Sequence, residues 1–372
     1  MAIGRSDLVF IKSIKLFSGY AFAKAETSII YFFLFFSLIT AGQTTLSGKV
    51  VNAADDEPIS GVAVYLSGTS VGVVTGFEGE FEIDYPESVV APIVFRMMGY
   101  EKLVIDNPLV ADLSLIKIVE KPDELETVYI ANDDWSRAKK EKYFKQFFLG
   151  RVPAAEECVI HNLQDVKLRF NPETNILNAW SDKTIHVTNK ILGYDIACDI
   201  GEFEIVFQPI PLNIITQVEG QEIEVPTHRP TSSYMEFSSY YSEMDDEDLS
   251  ERKRRRNRRR LYKVSEMKFY RDLVNERLEK ERYQLAFNRK PVEIPEHVRV
   301  REVGDAYEVS FREAEYTLIG RKNSQSFFQL SESQKIILDK YGNCLTPRGI
   351  RFGGFIGRLN LSGMLPLDYS PD

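Results

Sequence analysis

The sequence predicts a mainly β protein with a few helices, built as an N-terminal β-sandwich followed by a larger, β-rich α+β domain. Three observations carry this. Short apolar runs with period-two alternation, such as VAVYL at 62–66 and FEI at 81–83, fill residues 45–116 between the glycines at 61, 68, 72, 76 and 79. Comparable runs recur through 160–239 and from Val298 onward, while helical spacing is confined to about 133–150 and 262–287. The 372 residues, 44% apolar and 12% aromatic, are enough for more than one packed core and exclude both wholesale disorder and a small disulfide scaffold.

Residues 1–42 read as a signal peptide. The run SIIYFFLFFSLITAG at 28–42 follows Arg5, Lys12, Lys15 and Lys24, and Thr40 and Gly42 supply small residues before Gln43. Its apolar core is shorter than the roughly 20 residues of a spanning helix. Removing it takes away four basic and two acidic residues, so the formal charge moves from −9 to −11.

Residues 43–118 form the expected sandwich, with strands in LSGKVVN, GVAVYLSGT, GVVTG, GEFEID and APIVFRMMGY. No helical stripe in this stretch is long enough to cover a parallel sheet, so two facing sheets are the natural way to bury its apolar faces. Residues 119–152 are expected to leave the sandwich through the strand-like ETVYI as a linker and an amphipathic helix. That helix carries Trp135, Tyr143, Phe144, Phe147 and Phe148 between lysines, with Asp133 and Asp134 at its first turn. Packing on the second domain is the simpler use of such a face, and a membrane-surface helix the sharper one.

The β-rich domain spans 153–372. Strands are expected in DVKLRF, ILNAWS, KTIHVTN, YDIACDIGEFEIVFQ, NIITQV, QEIEV and SSYMEFSSY, and later in YEVSF, YTLIG, SFFQL and KIILD. A charged linker is expected at 242–260 and a helix at 262–287 on Phe269, Leu273 and Leu278.

The charged segment places eight Lys or Arg among the nine residues 252–260, directly after an acidic cluster. Nucleic acid is a poor partner for it, because the exported body is acidic. A solvated helix paired with acidic surface accounts for the run. As a docking patch for an anionic partner, with peripheral membrane contact included, it would use Arg254, Arg255, Arg256, Arg258 and Arg259.

His161, His186, His228 and His297 are scattered without H-E-x-x-H or a close His/Glu pair of the kind that marks zinc peptidases, so no metal site is expected. Gly68-Thr69-Ser70-Val71-Gly72 has G-x-S-x-G spacing but lies between two short strand-like runs rather than between a strand and a helix, so it is no nucleophile elbow; no dinucleotide or phosphate loop is present, and no cofactor is expected. In an oxidising compartment Cys158 and Cys198 could meet across strands as a disulfide, leaving Cys344 free; buried thiols are the alternative.

The segments Leu46–Val51, Glu57–Leu66, Gly68-Thr69, Gly72, Thr75, Gly79-Glu80-Phe81 and Met98-Gly99-Tyr100 resemble the carboxypeptidase regulatory-like domain. That resemblance implies a transthyretin-like β-sandwich, a non-catalytic accessory module widespread at the front of Bacteroidota envelope proteins. Gly76 departs from the Asp or Asn that usually follows the threonine of its T-D-x-x-G-x-F turn. The later segments FFLG, AAEECVIHN, LNAWSDKTIHVTNKILGYDI, RRLYKVSEMKFYRDL, ILDKYGN and MLPLDYSP resemble the body of Bacteroidota carboxypeptidase-like regulatory domain-containing proteins, similar to periplasmic or outer-membrane-associated factors with no catalytic residues to carry over. The resulting expectation is a non-enzymatic envelope scaffold or adaptor whose partners are envelope or outer-membrane proteins. An envelope hydrolase or peptidase-associated enzyme and a glycan-binding module are the alternatives.

Overall fold

The first core forms where glycine turns fold seven short strands into two facing sheets. The computed structural model of the chain describes residues 44–121, 133–210, 227–245, 250–320 and 325–371. The expected leader and the runs ETVYI, NIITQV and QEIEV lie outside them.

The strands are β1 (Thr44–Asn52), β2 (Ala63–Leu66), β3 (Gly72–Val74), β4 (Glu80–Tyr85), β5 (Ile93–Arg96), β6 (Leu103–Ile105) and β7 (Leu115–Ile118). They order as β4-β1-β7 and β3-β2-β5-β6, with β1 and β7 parallel. Strict alternation in β4 buries Phe81, Ile83 and Tyr85 against Val64, Ile93 and Phe95. The turn between β3 and β4 explains the departure at Gly76. The Glu80 carboxylate occupies the space a side chain at 76 would fill, and accepts the Glu78 N–H at 2.9 Å. Gly79 has φ +75°, and a Cβ there would sit 2.3 Å from the Val50 carbonyl oxygen, so glycine is required.

A second core gathers around α1 (Arg137–Phe148) and the strands β8 (Cys158–Ile160), β9 (Lys167–Asn171), β10 (Ile176–Trp180), β11 (Ile185–Asn189), β12 (Tyr194–Pro209) and β13 (His228–Glu243). Strand β12 pairs along its length with β13 and, on its other edge, with β11 and then β10. Ser136 caps α1 by accepting the Lys139 N–H, and Phe144, Phe147 and Phe148 enter the core. Trp135 stacks on Phe170 with centroids 3.9 Å apart. The aromatic face of α1 is therefore spent inside the fold, and the membrane-surface alternative has no apolar face left to use.

The segment expected as a charged linker and one helix is differently built. Strand β13 runs to Glu243, then α2 (Glu251–Tyr262) and α3 (Glu266–Val274) follow as separate helices. Ser265 restarts the chain by capping α3, and left-handed backbone at Glu276 and Arg282 ends it, so residues 284–287 are strand rather than helix. Leu278 shares the helical spacing but reaches the core from a turn.

The third core packs α3 against β14 (Gln284–Phe287), β15 (Lys290–Val292), the short α4 (Ile294–His297), β16 (Val298–Val303), β17 (Ala306–Phe311), β18 (Glu315–Ile319), β19 (Gln325–Leu330), β20 (Lys335–Asp339) and β21 (Ile350–Gly354). The sheets order as β15-β14-β18-β19-β21 and β16-β17-β20. The stretch expected as one β-rich domain thus holds two cores, because α3 seals the second set of strands separately.

Residues 45–372 form one unit, and polar contacts join its cores. The buried Asp199 accepts from Tyr65 Oη at 3.0 Å and Thr184 Oγ1 at 2.7 Å, and pairs with Arg96 at 3.3 Å. The Gly68 N–H donates to the Ser239 carbonyl and the Tyr241 N–H to that of Thr69. The C-terminal segment closes the arrangement. Leu365 packs in the second core and Leu367 against the sandwich, while Arg271 of α3 donates to the carbonyls of Leu367 and Tyr369 at 2.9 and 2.8 Å. Among the described residues no helix is long and apolar enough to cross a membrane.

Candidate docking surface

Helix α2 contains all five arginines singled out in the sequence, and its anchoring decides which of them face outward. Ten of its twelve residues are Arg, Lys, Asn or Glu, so like charges meet at i,i+3 and i,i+4 and weaken the isolated helix. Tertiary contacts must hold it. Arg254, Asn257 and Arg258, at helical spacing, supply them. The Arg258 guanidinium forks onto both oxygens of Glu243 at 2.6 and 2.7 Å, donates to the carbonyls of Leu192 and Gly193 at 2.7 and 3.1 Å, and lies 3.7 Å over the Tyr194 ring. Arg254 donates to the Met244 carbonyl at 2.8 Å and Asn257 to that of Ile191 at 2.9 Å. Gly193, at φ +70°, lets the Arg254 side chain lie against the turn; a Cβ there would be 2.8 Å from Arg254 Cδ. Burial pushes the Tyr194 phenol up, and Arg258 acts against that shift without reversing it.

Two of the five proposed docking residues are therefore corrected: Arg254 and Arg258 are structural anchors turned into the fold. Arg255, Arg256 and Arg259 are exposed, together with Arg252, Lys253 and Arg260 at the two ends of the run. Arg255 pairs with Glu251 at 2.6 Å across one helical turn. Asn257, the single uncharged residue of the run, was the available signal for the inward face.

The expected Cys158–Cys198 bridge is also corrected, since all three cysteines are free. Strand β11 lies between the pair: Cys158 is opposite Asn189 and Cys198 opposite Ile185. Four residues along a strand is about 13 Å, with two inter-strand spacings added, whereas a disulfide needs Cα atoms within about 7 Å. Burial pushes the Cys158 thiol up to about 12 and the Cys198 thiol further.

His161 and His186 are neighbours through the backbone, the His161 N–H donating to the His186 carbonyl at 2.9 Å, and the other two histidines stand on separate elements. His161 shares a hydrogen bond with Thr188 Oγ1 at 2.7 Å and His297 one with Tyr316 Oη at 3.0 Å, while His228 stands edge-on to Trp135 and Phe170. Among the described residues no group of three or more His, Cys, Asp or Glu side chains is arranged to hold a metal ion.

The fold and this surface define a multi-core β protein whose front module is a sandwich and whose most charged feature is an anchored cationic helix. Residues 46–130 match the family model of the CarboxypepD_reg-like domain, so the sandwich of this chain is a carboxypeptidase regulatory-like domain. No curated protein is detectably similar to the chain. Among solved structures, a candidate carbohydrate binding protein from Bacteroides uniformis aligns with 79% of this chain and 98% of its own at 6% identity, with a TM-score of 0.17. Likeness at that level carries no argument about fold or ligand.

Proposed function

We propose that this protein is a non-enzymatic, exported envelope scaffold or adaptor that uses the outer face of α2 to dock on an acidic surface of an envelope or outer-membrane protein. The observation that carries the reading is the division of labour within α2. Arg254, Asn257 and Arg258 lock the helix to the turn at Ile191–Gly193 and to Glu243, leaving Arg252, Lys253, Arg256 and Arg260 exposed without an ion pair among the described residues. Keeping like charges on one helix costs stability, and a rigidly held row of cations repays that cost in a complex. Arginine predominates, and its fork suits the paired oxygens of carboxylates. The interlock at Asp199 makes the sandwich a fixed part of the same body rather than a free tether.

The test is recovery of partners from detergent-solubilised envelopes with tagged protein carrying R252E, K253E, R256E and R260E together. Wild type is expected to retain an envelope protein that elutes with rising salt, and the variant to lose it. Equal recovery by both forms would remove α2 from the docking role. Flotation with phosphatidylglycerol vesicles in the same series identifies a headgroup-driven contact instead.

A further inference from the structure

We propose that the outer face of the β14-β18-β19-β21 sheet is a carbohydrate-binding trough, with Phe327 as the platform on which a sugar ring stacks. Alternation turns Tyr316, Leu318, Phe328 and Phe352 toward the third core and turns Phe327 and Gln329 outward on the opposite face, where Ala286 is buried. Pairing aligns Ala286, Thr317, Phe327 and Gly353 in one row across that face.

Gly353 is what makes the row a platform. A Cβ at 353 would fall 2.0–2.6 Å from three atoms of the Phe327 ring, so the ring lies across the bare glycine backbone. Its residue remains 58% exposed, leaving an aromatic surface open above a supported one. Beside it is a groove of about 410 Å³ whose rim carries Asn288, Arg289, Glu315 and Gln329. This volume lies within the range of small-ligand sites, about 300–1,000 Å³.

The chemistry selects the ligand class. An aromatic face accepts the C–H face of a pyranose, while planar amide, carboxylate and guanidinium groups donate to and accept from its rim of hydroxyls. A purely apolar ligand would strip water from those four polar groups without replacing it. A simple anion would meet Glu315.

The hairpin between β14 and β15 sets the position of two of the rim residues. Asn288 and Arg289 both adopt left-handed backbone, φ +50° and +63°, as a two-residue turn of this hand requires. Glycine is the favoured second residue of such a turn, yet an arginine bordering the groove stands there. The trough is separate from α2, and this inference does not depend on the docking reading.

The experiment is calorimetric titration of the full chain with cellohexaose, xylohexaose, mannohexaose, maltohexaose and N-acetylchitohexaose. At least one is expected to bind saturably, with little dependence on salt. Phe327→Ala should weaken it roughly tenfold or more, and Phe327→Tyr should retain it. Gly353→Ala, which displaces the ring without removing it, should also weaken binding. Arg289→Gly should lower affinity while raising the melting temperature, a combination that misfolding cannot produce. If no hexasaccharide binds at millimolar concentration, or if binding survives Phe327→Ala, the proposal fails. Binding abolished by moderate salt would identify an anion site at Arg289 and also overturn it.

Discussion

Arg258 and Glu243 form a two-pronged ion pair, 2.6 and 2.7 Å, between the last turns of a cationic helix and the end of the longest hairpin in the described structure. Glu243 is well exposed, so the pair itself adds little in water. The larger part comes from the buried guanidinium satisfying the Leu192 and Gly193 carbonyls and covering Tyr194. Arg258→Ala is expected to cost about 2 kcal/mol, and Arg258→Lys most of the same because a compact ammonium cannot both serve the two carbonyls and lie flat over the Tyr194 ring. Arg256→Ala, on the exposed face, should change stability by no more than about 0.5 kcal/mol. Urea denaturation of the three variants measures this; equal losses at 256 and 258 would contradict the assigned orientation of α2.

Asp199 holds the sandwich to the second core through Tyr65, Arg96 and Thr184. Asp199→Ala leaves a largely buried guanidinium and two hydroxyls without their acceptor, and is expected to cost about 3 kcal/mol. Tyr65→Phe removes one hydrogen bond and should cost about 1 kcal/mol. Calorimetry should show the wild-type transition separating into two in Asp199→Ala, as the sandwich and the body lose their coupling.

His228 stands against the rings of Trp135 and Phe170. Burial lowers its pKa, with the Lys139 charge adding to the shift and Asp134 opposing it. The unfolded chain therefore binds this proton first as pH falls. Stability is highest with a neutral ring, begins to decline near the ordinary imidazole value of about 6.5, and stops declining once pH has passed the lowered folded value. Melting temperatures across pH 8 to 5 should show a smaller decline in His228→Gln than in wild type, and an NMR titration should place the ring below free histidine.

The cysteines should behave as three inert thiols. With Cys158 raised to about 12 and Cys198 higher still, almost no thiolate forms at neutral pH. Alkylation under native conditions should be slow at both. Without reductant, denatured protein should take up three equivalents by mass spectrometry. Two missing equivalents would show a bridge that the β11 register forbids.

The sandwich was the most legible part of the chain, because local rules alone fix it. Thr75, Gly79 and the alternation of EFEIDY are satisfied within one short segment, through Thr75 bonded to Ile59 and Val62 and Gly79 lying under Val50. Period-two spacing also located β9 to β13 and β17 to β20. It failed at 262–287, where Leu278 keeps helical spacing although Ser265 and the left-handed Glu276 cut the chain into separate pieces. Spacing records which residues are buried, and a turn can bury a leucine as well as a helix can.

Composition determined that the run 252–260 is cationic and that the chain has few histidines and no metal-ligand spacing. It could not say that Arg258 points inward while Arg256 points out, because residues of one type are indistinguishable until a partner surface exists. Asp199 joins Tyr65 across 134 positions of chain, and the bare backbone of Gly353 supports the Phe327 ring from a neighbouring strand. Such relationships are made when distant segments are brought together and their polar groups must find partners out of water. Local preference settled the strands and turns of this protein, and long-range packing decided which of its charges and rings were left to meet anything else.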